Sequence, residues 1–135
     1  MWFDILMALN NHLIATSELN GVAIVVGSDT KIPQGATVVL IRGTFDPKTT
    51  EPKSRDSQQL YVECWQWDES ESPTKGYEKL AELEGIVMKA LNDFGAGSNR
   101  VNNKQVRVIL GQTEPDGDAF RPSVGSRTAV TVQWQ

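Results

Sequence analysis

QLYVECWQW, residues 59–67, decides the fold. Side chains in an extended chain alternate between two faces, so Leu60, Val62 and Cys64 fall on one side and Tyr61, Glu63, Trp65 and Trp67 on the other. The first face is small and aliphatic and needs cover. The stretches on either side show what supplies it. Upstream, ATVVLIRG (36–43) and GVAIVVG (21–27) are β-branched runs bounded by turn residues, with Ile32-Pro33-Gln34-Gly35 between them, and they read as two further strands. Before them, Trp2, Ile5, Leu6, Leu9 and Leu13 recur at helical spacing from residue 2 to about residue 16, and Asn20-Gly21 supplies the stop. Downstream, Ser72 is placed to cap a helix that opens at Pro73. Its apolar stripe is Tyr77, Leu80, Leu83, Val87, Ala90, Leu91 and Phe94, and Gly95 and Gly97 end it. KQVRVILG (104–111) and RTAVTVQWQ (127–135) alternate at period two on either side of a turn-rich segment. The order is α-β-β-β-α-β-β. It predicts an α+β domain in which both helices pack on one face of a mostly antiparallel sheet of about four to five strands. Leu6, Leu9, Leu13, Leu80, Leu83, Val87 and Leu91 are expected in the shared core.

With the helices committed to Leu60, Val62 and Cys64, the row of Tyr61, Trp65 and Trp67 is left on the opposite face. Two readings compete. The row packs within the subunit, under the last strand with Trp134 or under loops, because Trp is usually largely buried. Alternatively, part of it lies against a neighbouring subunit, where aromatic side chains are enriched. The segment directly before it, residues 43–58, is rich in Gly, Pro, Thr, Ser and alternating charge. A long polar loop inside a compact domain is uncommon and usually functional or disordered. Lys48, Lys53 and Arg55 balance Asp46, Glu51 and Asp56 in it, so there is little for it to bury within the subunit and it is expected to order on assembly.

Composition narrows the function. A chain of 135 residues with 39% hydrophobic content is expected to be one domain, spanning residues 1–135. A net charge of -4 gives no general basis for holding phosphates. Cys64 has no partner for an internal disulfide, and with His12 as the single histidine no zinc site of the Cys/His kind can be assembled, which points to a reducing compartment. The apolar N-terminus carries Asp4 and is broken by Asn10, Asn11 and His12, so it fits neither a signal peptide nor a membrane span, and a soluble cytoplasmic chain without membrane contact is expected.

No phosphate loop, no nucleophile elbow and no Cys/His pairing is present, so neither an enzyme nor a cofactor is expected. His12 reads as a solvated helix residue. Asp116-Gly117-Asp118 reads as a turn, since the further ligands of a calcium loop are missing. A metal-dependent nuclease would need Asp46 and Glu51 as metal ligands with Lys53 assisting a water, in a Pro-rich loop that does little to fix them. Asp68, Glu69 and Glu71 precede a helix N-terminus, where negative charge is favoured. Charge is uneven along the chain. Glu63, Asp68, Glu69, Glu71, Glu78, Glu82, Glu84 and Asp93 outnumber Lys75, Lys79 and Lys89 in the middle, while Arg100, Lys104, Arg107, Arg121 and Arg127 outnumber Glu114, Asp116 and Asp118 at the end. Such a subunit can join head to tail, and contacts of that kind close into rings when the rotation permits. Charges that simply solvate the surface are the plain alternative.

The N-terminal helix, KIPQGATVVLIRG, the long loop, LYVECWQWDESESPTKGYEKLAELEGIVMKALN and the closing DGDAFRPSVGSRTAVTVQWQ together resemble the tail terminator and tail completion proteins of long-tailed bacteriophages. The resemblance spans nearly the whole chain; Gly76-Tyr77 and Val130-Thr131-Val132-Gln133-Trp134 stand where that family has a Gly-Tyr before its helical stripe and a final strand with a terminal aromatic. It implies a virion protein of the tail or neck, assembled in the host cytoplasm. It would form a homo-oligomeric ring, commonly a hexamer, that caps the tail tube, ends polymerisation and offers a joining surface to the head connector or stopper. The major tail tube protein and the connector would be its partners, and DNA would pass through the lumen without specific binding. A head-completion or stopper protein of the neck is the neighbouring alternative. The residues expected at the subunit or tube interface are Phe45, Lys48, Lys53, Arg55, Tyr61, Glu63, Trp65 and Trp67, with Arg100, Arg121 and Arg127 as candidates for a second interface.

Overall fold

The computed structural model describes residues 1–27, 35–52, 54–68, 73–97, 99–115 and 123–135. Helix α1 (Trp2–Ile14) is followed by a short 3-10 turn (Ser17–Leu19) and strands β1 (Ala23–Val26), β2 (Thr37–Asp46) and β3 (Asp56–Trp67). Helix α2 (Pro73–Ala96), a small hairpin β4 (Arg100–Val101) and β5 (Lys104–Gln105), then β6 (Arg107–Pro115) and β7 (Ser123–Trp134) complete the chain. This is the expected α+β order, with the hairpin added. The main sheet runs β1-β2-β3-β7-β6. Three of its pairings are antiparallel, while β1 runs parallel to β2. The turn at Ile32-Pro33-Gln34, the cap at Ser72 and the turn at Asp116-Gly117-Asp118 lie outside the described residues.

The core lies between one face of the sheet and the two helices. Leu6, Leu9, Leu13, Leu80, Leu83, Val87 and Leu91 share it with Val38, Leu40, Leu60, Val62, Cys64, Val130, Val132 and Trp134. Two stripe residues are placed differently from the expectation. Trp2 is 36% exposed with the Arg42 guanidinium 4.0 Å above its ring, and Tyr77 is 65% exposed, its place on the buried face taken by Gly76. His12 is not a solvated residue either. Its Nε2–H donates to the carbonyl of Ala90 at 2.8 Å and its ring meets Phe94 edge-on, so it ties α1 to α2.

The strands reach into the segment expected as loop. β2 continues to Asp46 and β3 begins at Asp56, which leaves residues 47–55 as the connection. What hid the continuation is a bulge: the register of β2 on β3 shifts between Arg42 and Phe45. Gly43 allows it, because a Cβ there would stand 2.8 Å from the carbonyl oxygen of Gln59. Gln58, 1% exposed, turns its amide into the bulge and donates to the carbonyls of Gly43 (3.0 Å) and Gln59 (2.8 Å). A second bulge lies in β6 between Leu110 and Thr113, where a Cβ on Gly111 would stand 2.8 Å from the carbonyl oxygen of Ala129. Both bulges start from one row across the sheet, Arg42–Leu60–Val130–Leu110.

Candidate interaction surfaces

The face of the sheet away from the helices carries the aromatic row. Trp65 lies flat on β7: a Cβ at Gly125, its cross-strand partner, would meet the indole ring at 2.5 Å, so only glycine leaves room for it. The indole Nε1–H donates to Glu63 Oε1 at 3.3 Å. Glu63 in turn accepts from Arg127 Nε (3.1 Å) and Nη2 (2.9 Å) across the strand pair, and the same guanidinium stands 5.0 Å from the centre of the Tyr61 ring. Tyr61, Glu63 and Trp65 are half-buried by this arrangement. Arg127, expected as a separate contact, is therefore brought to the first group and neutralised by Glu63. Within the subunit the row is half-covered by its own neighbours, while Trp134 faces the core. Trp67, at the end of the row, is half-buried and also engaged.

The other expected residues gather at the opposite end of the strands. The bulge re-aims Phe45, which lies 44% exposed and stacks on Trp134 with ring centres 6.1 Å apart. Trp2, with Arg42 above it and Phe3 edge-on at 5.9 Å, extends the same end; Phe3 is 55% exposed. The 47–55 connection is held by local bonds: the backbone N–H of Lys48 donates to Asp56 Oδ1 (2.8 Å), that of Thr49 to Ser54 Oγ (2.7 Å) and that of Ser54 to the Glu51 carbonyl (3.0 Å). Arg55 lines an open cleft of about 410 Å³ together with Gln105, Arg107, Gln133 and Trp134. Arg100 donates to the nearby carbonyl of Asn103 at 3.0 Å. Lys53 and Arg121 lie outside the described residues.

Among the surface contacts that sequence reasoning missed are Trp2 with Arg42 and the Phe45–Trp134 stack. The signal for the second was the glycine inside a β-branched run, which marks a bulge that turns the following side chain over.

Cys64 is buried, and burial, followed by the negative charge of Glu84, pushes its thiol up to about 12, so it stays protonated at ordinary pH. Asp46 and Glu51 are exposed. Among the described residues no three His, Cys, Asp or Glu side chains come together as a metal site, and no helix is long and apolar enough to cross a membrane.

No protein-family model matches the chain, and no curated protein matches it by sequence. Solved structures do match its fold. One is a chain of the virion of a native gene transfer agent (GTA) particle, which superposes with a TM-score of 0.69 at 12% identity over 96% of this chain and 92% of that one. A second, which carries no functional name, gives a TM-score of 0.53 at 12% identity over 96% and 94% of the two chains. At such identities the likeness is one of fold.

Proposed function

We propose that the chain is a virion structural protein, a subunit of a hexameric ring in the tail or neck that caps the tail tube, ends its polymerisation and presents the surface to which the head is joined. The observation that carries this reading is the fold shared, over nearly the full length of both chains, with a component of a phage-like virion particle. The motif resemblance to tail terminators points the same way. The surfaces fit the role: they offer aromatic and guanidinium groups of the kind that dominate interface energetics. In this reading the end of the sheet with Phe45, Lys48 and Arg55 meets the tube or a neighbouring subunit. The ladder of Tyr61, Glu63, Trp65 and Arg127, with Trp67, stiffens the strand behind it. DNA passes through the ring without specific contacts, in keeping with a chain of net charge -4.

Deleting the coding sequence from its particle's genes tests the role. The expected outcome is tails of uncontrolled length and heads without tails; normal tails with empty, unjoined heads would place the protein at the head side of the neck instead. The enzymatic alternative has its own test. Purified protein with magnesium or manganese is expected to leave DNA intact, and cleavage that disappears in Asp46→Ala or Glu51→Ala would replace the structural reading with a nuclease.

A further inference from the structure

The two margins of the main sheet differ in a way that suits them to each other. β1 forms one margin and β6 the other. Among the described residues, each pairs with a strand on one side only. Edge strands of this kind are usually blunted by lysine, proline or inward-pointing charge. Here β1 is AIVV, and β6 has an uncharged centre, VILGQT, between Arg107 and Glu114. Core-facing residues at both margins are left half-covered: Ile24 on β1, Val108 and Leu110 on β6. On the open face, Val25 (39% exposed) and Ile109 (38%) are counterparts.

Direction and charge agree. β1 runs parallel to β2, β3 opposite to β2, β7 opposite to β3 and β6 opposite to β7. When two copies stand side by side in the same orientation, β6 of one is therefore antiparallel to β1 of the next. Residues 1–27, which contribute α1 and β1, hold Asp4 and Glu18 and neither Lys nor Arg. β6 itself carries Arg107 and Glu114, and residues 99–106 directly before it add Arg100 and Lys104 and no carboxylate.

Building on the ring reading, we propose that β6 of one copy pairs antiparallel with β1 of the next, so that the opposite margins of the sheet form the head-to-tail contact of the assembly. One register satisfies the faces: Val25 opposite Ile109 on the open face, with Ile24 opposite Leu110 and Val26 opposite Val108 on the core face. Val26 faces the helices through its pairing with Leu40 and is 37% exposed, so the contact would complete its burial too. The match ends where the β6 bulge begins. The occupant is a second copy of this chain, identified by the opposed charge of the margins and by the strand directions. Three residue pairs are a small contact, so the flanking charges are expected to act with them.

The test is a disulfide trap on the full chain. Directly opposed β residues lie about 4.5–5.5 Å apart, within disulfide reach. Val25→Cys combined with Ile109→Cys is expected, on mild oxidation, to give a ladder of covalent multimers stepping by one chain mass, 14.9 kDa, which neither single variant gives. Buried Cys64 does not compete. Covalent dimers from Ile109→Cys alone would show β6 pairing with itself and overturn the proposal. An unlinked double variant, in a protein whose native mass shows it assembled, would overturn the proposal while leaving the ring standing. A chain that stays monomeric at every concentration and alongside tail tubes would remove both. As a second measurement, Ile109→Lys is expected to abolish assembly with an unchanged melting temperature; assembly that persists places the contact elsewhere.

Discussion

Gln58 is a polar side chain where strand alternation calls for an apolar one. Its amide replaces the strand partners that the β2 bulge denies to the carbonyl of Gly43. Gln58→Leu keeps the size and removes the donor, leaving a buried acceptor unpaired at a cost of about 1–3 kcal/mol. Denaturant unfolding reads that loss directly, and an unchanged midpoint would mean that water reaches the bulge. Cys64 makes a prediction about pH. Its thiol ionises from about 9 in the unfolded chain and only near 12 in the folded one. Between those values unfolding releases a proton, so stability contributed by the neutral thiol is complete below pH 9 and is lost as pH rises toward 12. Cys64→Val, close in size and without a titrating group, should lose less stability than the wild type across that window. A constant gap between the two would show that the folded thiol ionises normally. At this scale the sequence placed Cys64 on the same strand face as Leu60 and Val62, and that face is the buried one. It was silent about Arg127 and Glu63, because cross-strand pairing depends on a register that no local pattern states.

Both helices were legible from spacing, yet their orientation was read slightly off. The stripe of α2 begins at Gly76, a residue without a hydrophobic signal, and not at Tyr77, which lies one position around the helix. The register further along is fixed by Leu83, 3% exposed among core residues. Leu83→Ala is expected to cost about 2–5 kcal/mol, and a loss below about 0.5 kcal/mol would reject the burial of that face. The hairpin β4–β5 was missed although Asn102-Asn103, both at positive φ, is a two-residue turn of the sort asparagine permits. The parallel pairing of β1 was out of reach, because two adjacent β-branched runs say nothing about relative direction. Strand ends were misplaced because Thr44, Asp46 and Asp56 look like loop residues when the bulge that accommodates them is unseen. The connection that remains, 47–55, carries its own hydrogen bonds and little buried surface. If the protein has the proposed tail role, replacing it with a short Gly/Ser linker should leave thermal stability almost unchanged while tail completion or head joining is lost. Particles that form at normal yield would reduce it to a plain connector.

For the whole molecule, composition predicted a real core, while the two margins proposed to pair emerge only when topology places β1 and β6 at opposite edges. If those margins attract through opposed charge, raising ionic strength from about 0.1 M to about 1 M, which shortens the screening length from about 10 Å to about 3 Å, should weaken self-association. Sedimentation across that range would show it, and an association that strengthens with salt would assign the contact to apolar burial alone. The place of β7 carries one more consequence. It follows every other strand in chain order, yet it is inserted between β3 and β6 and pairs with β3 along the full length from Asp56 to Trp67. Contacts so distant in sequence form slowly, on the scale of milliseconds to seconds for sheet-dominated domains. A chain emerging from the ribosome therefore holds β1, β2, β3 and α2 with the far edge of β3 still bare. Until Trp134 has been added, β6 has no strand to dock against, and the two margins do not exist at their proper separation. If the margins pair as proposed, synthesis of β7 acts as a timer: a subunit still without it has no placed β6 to offer a neighbour.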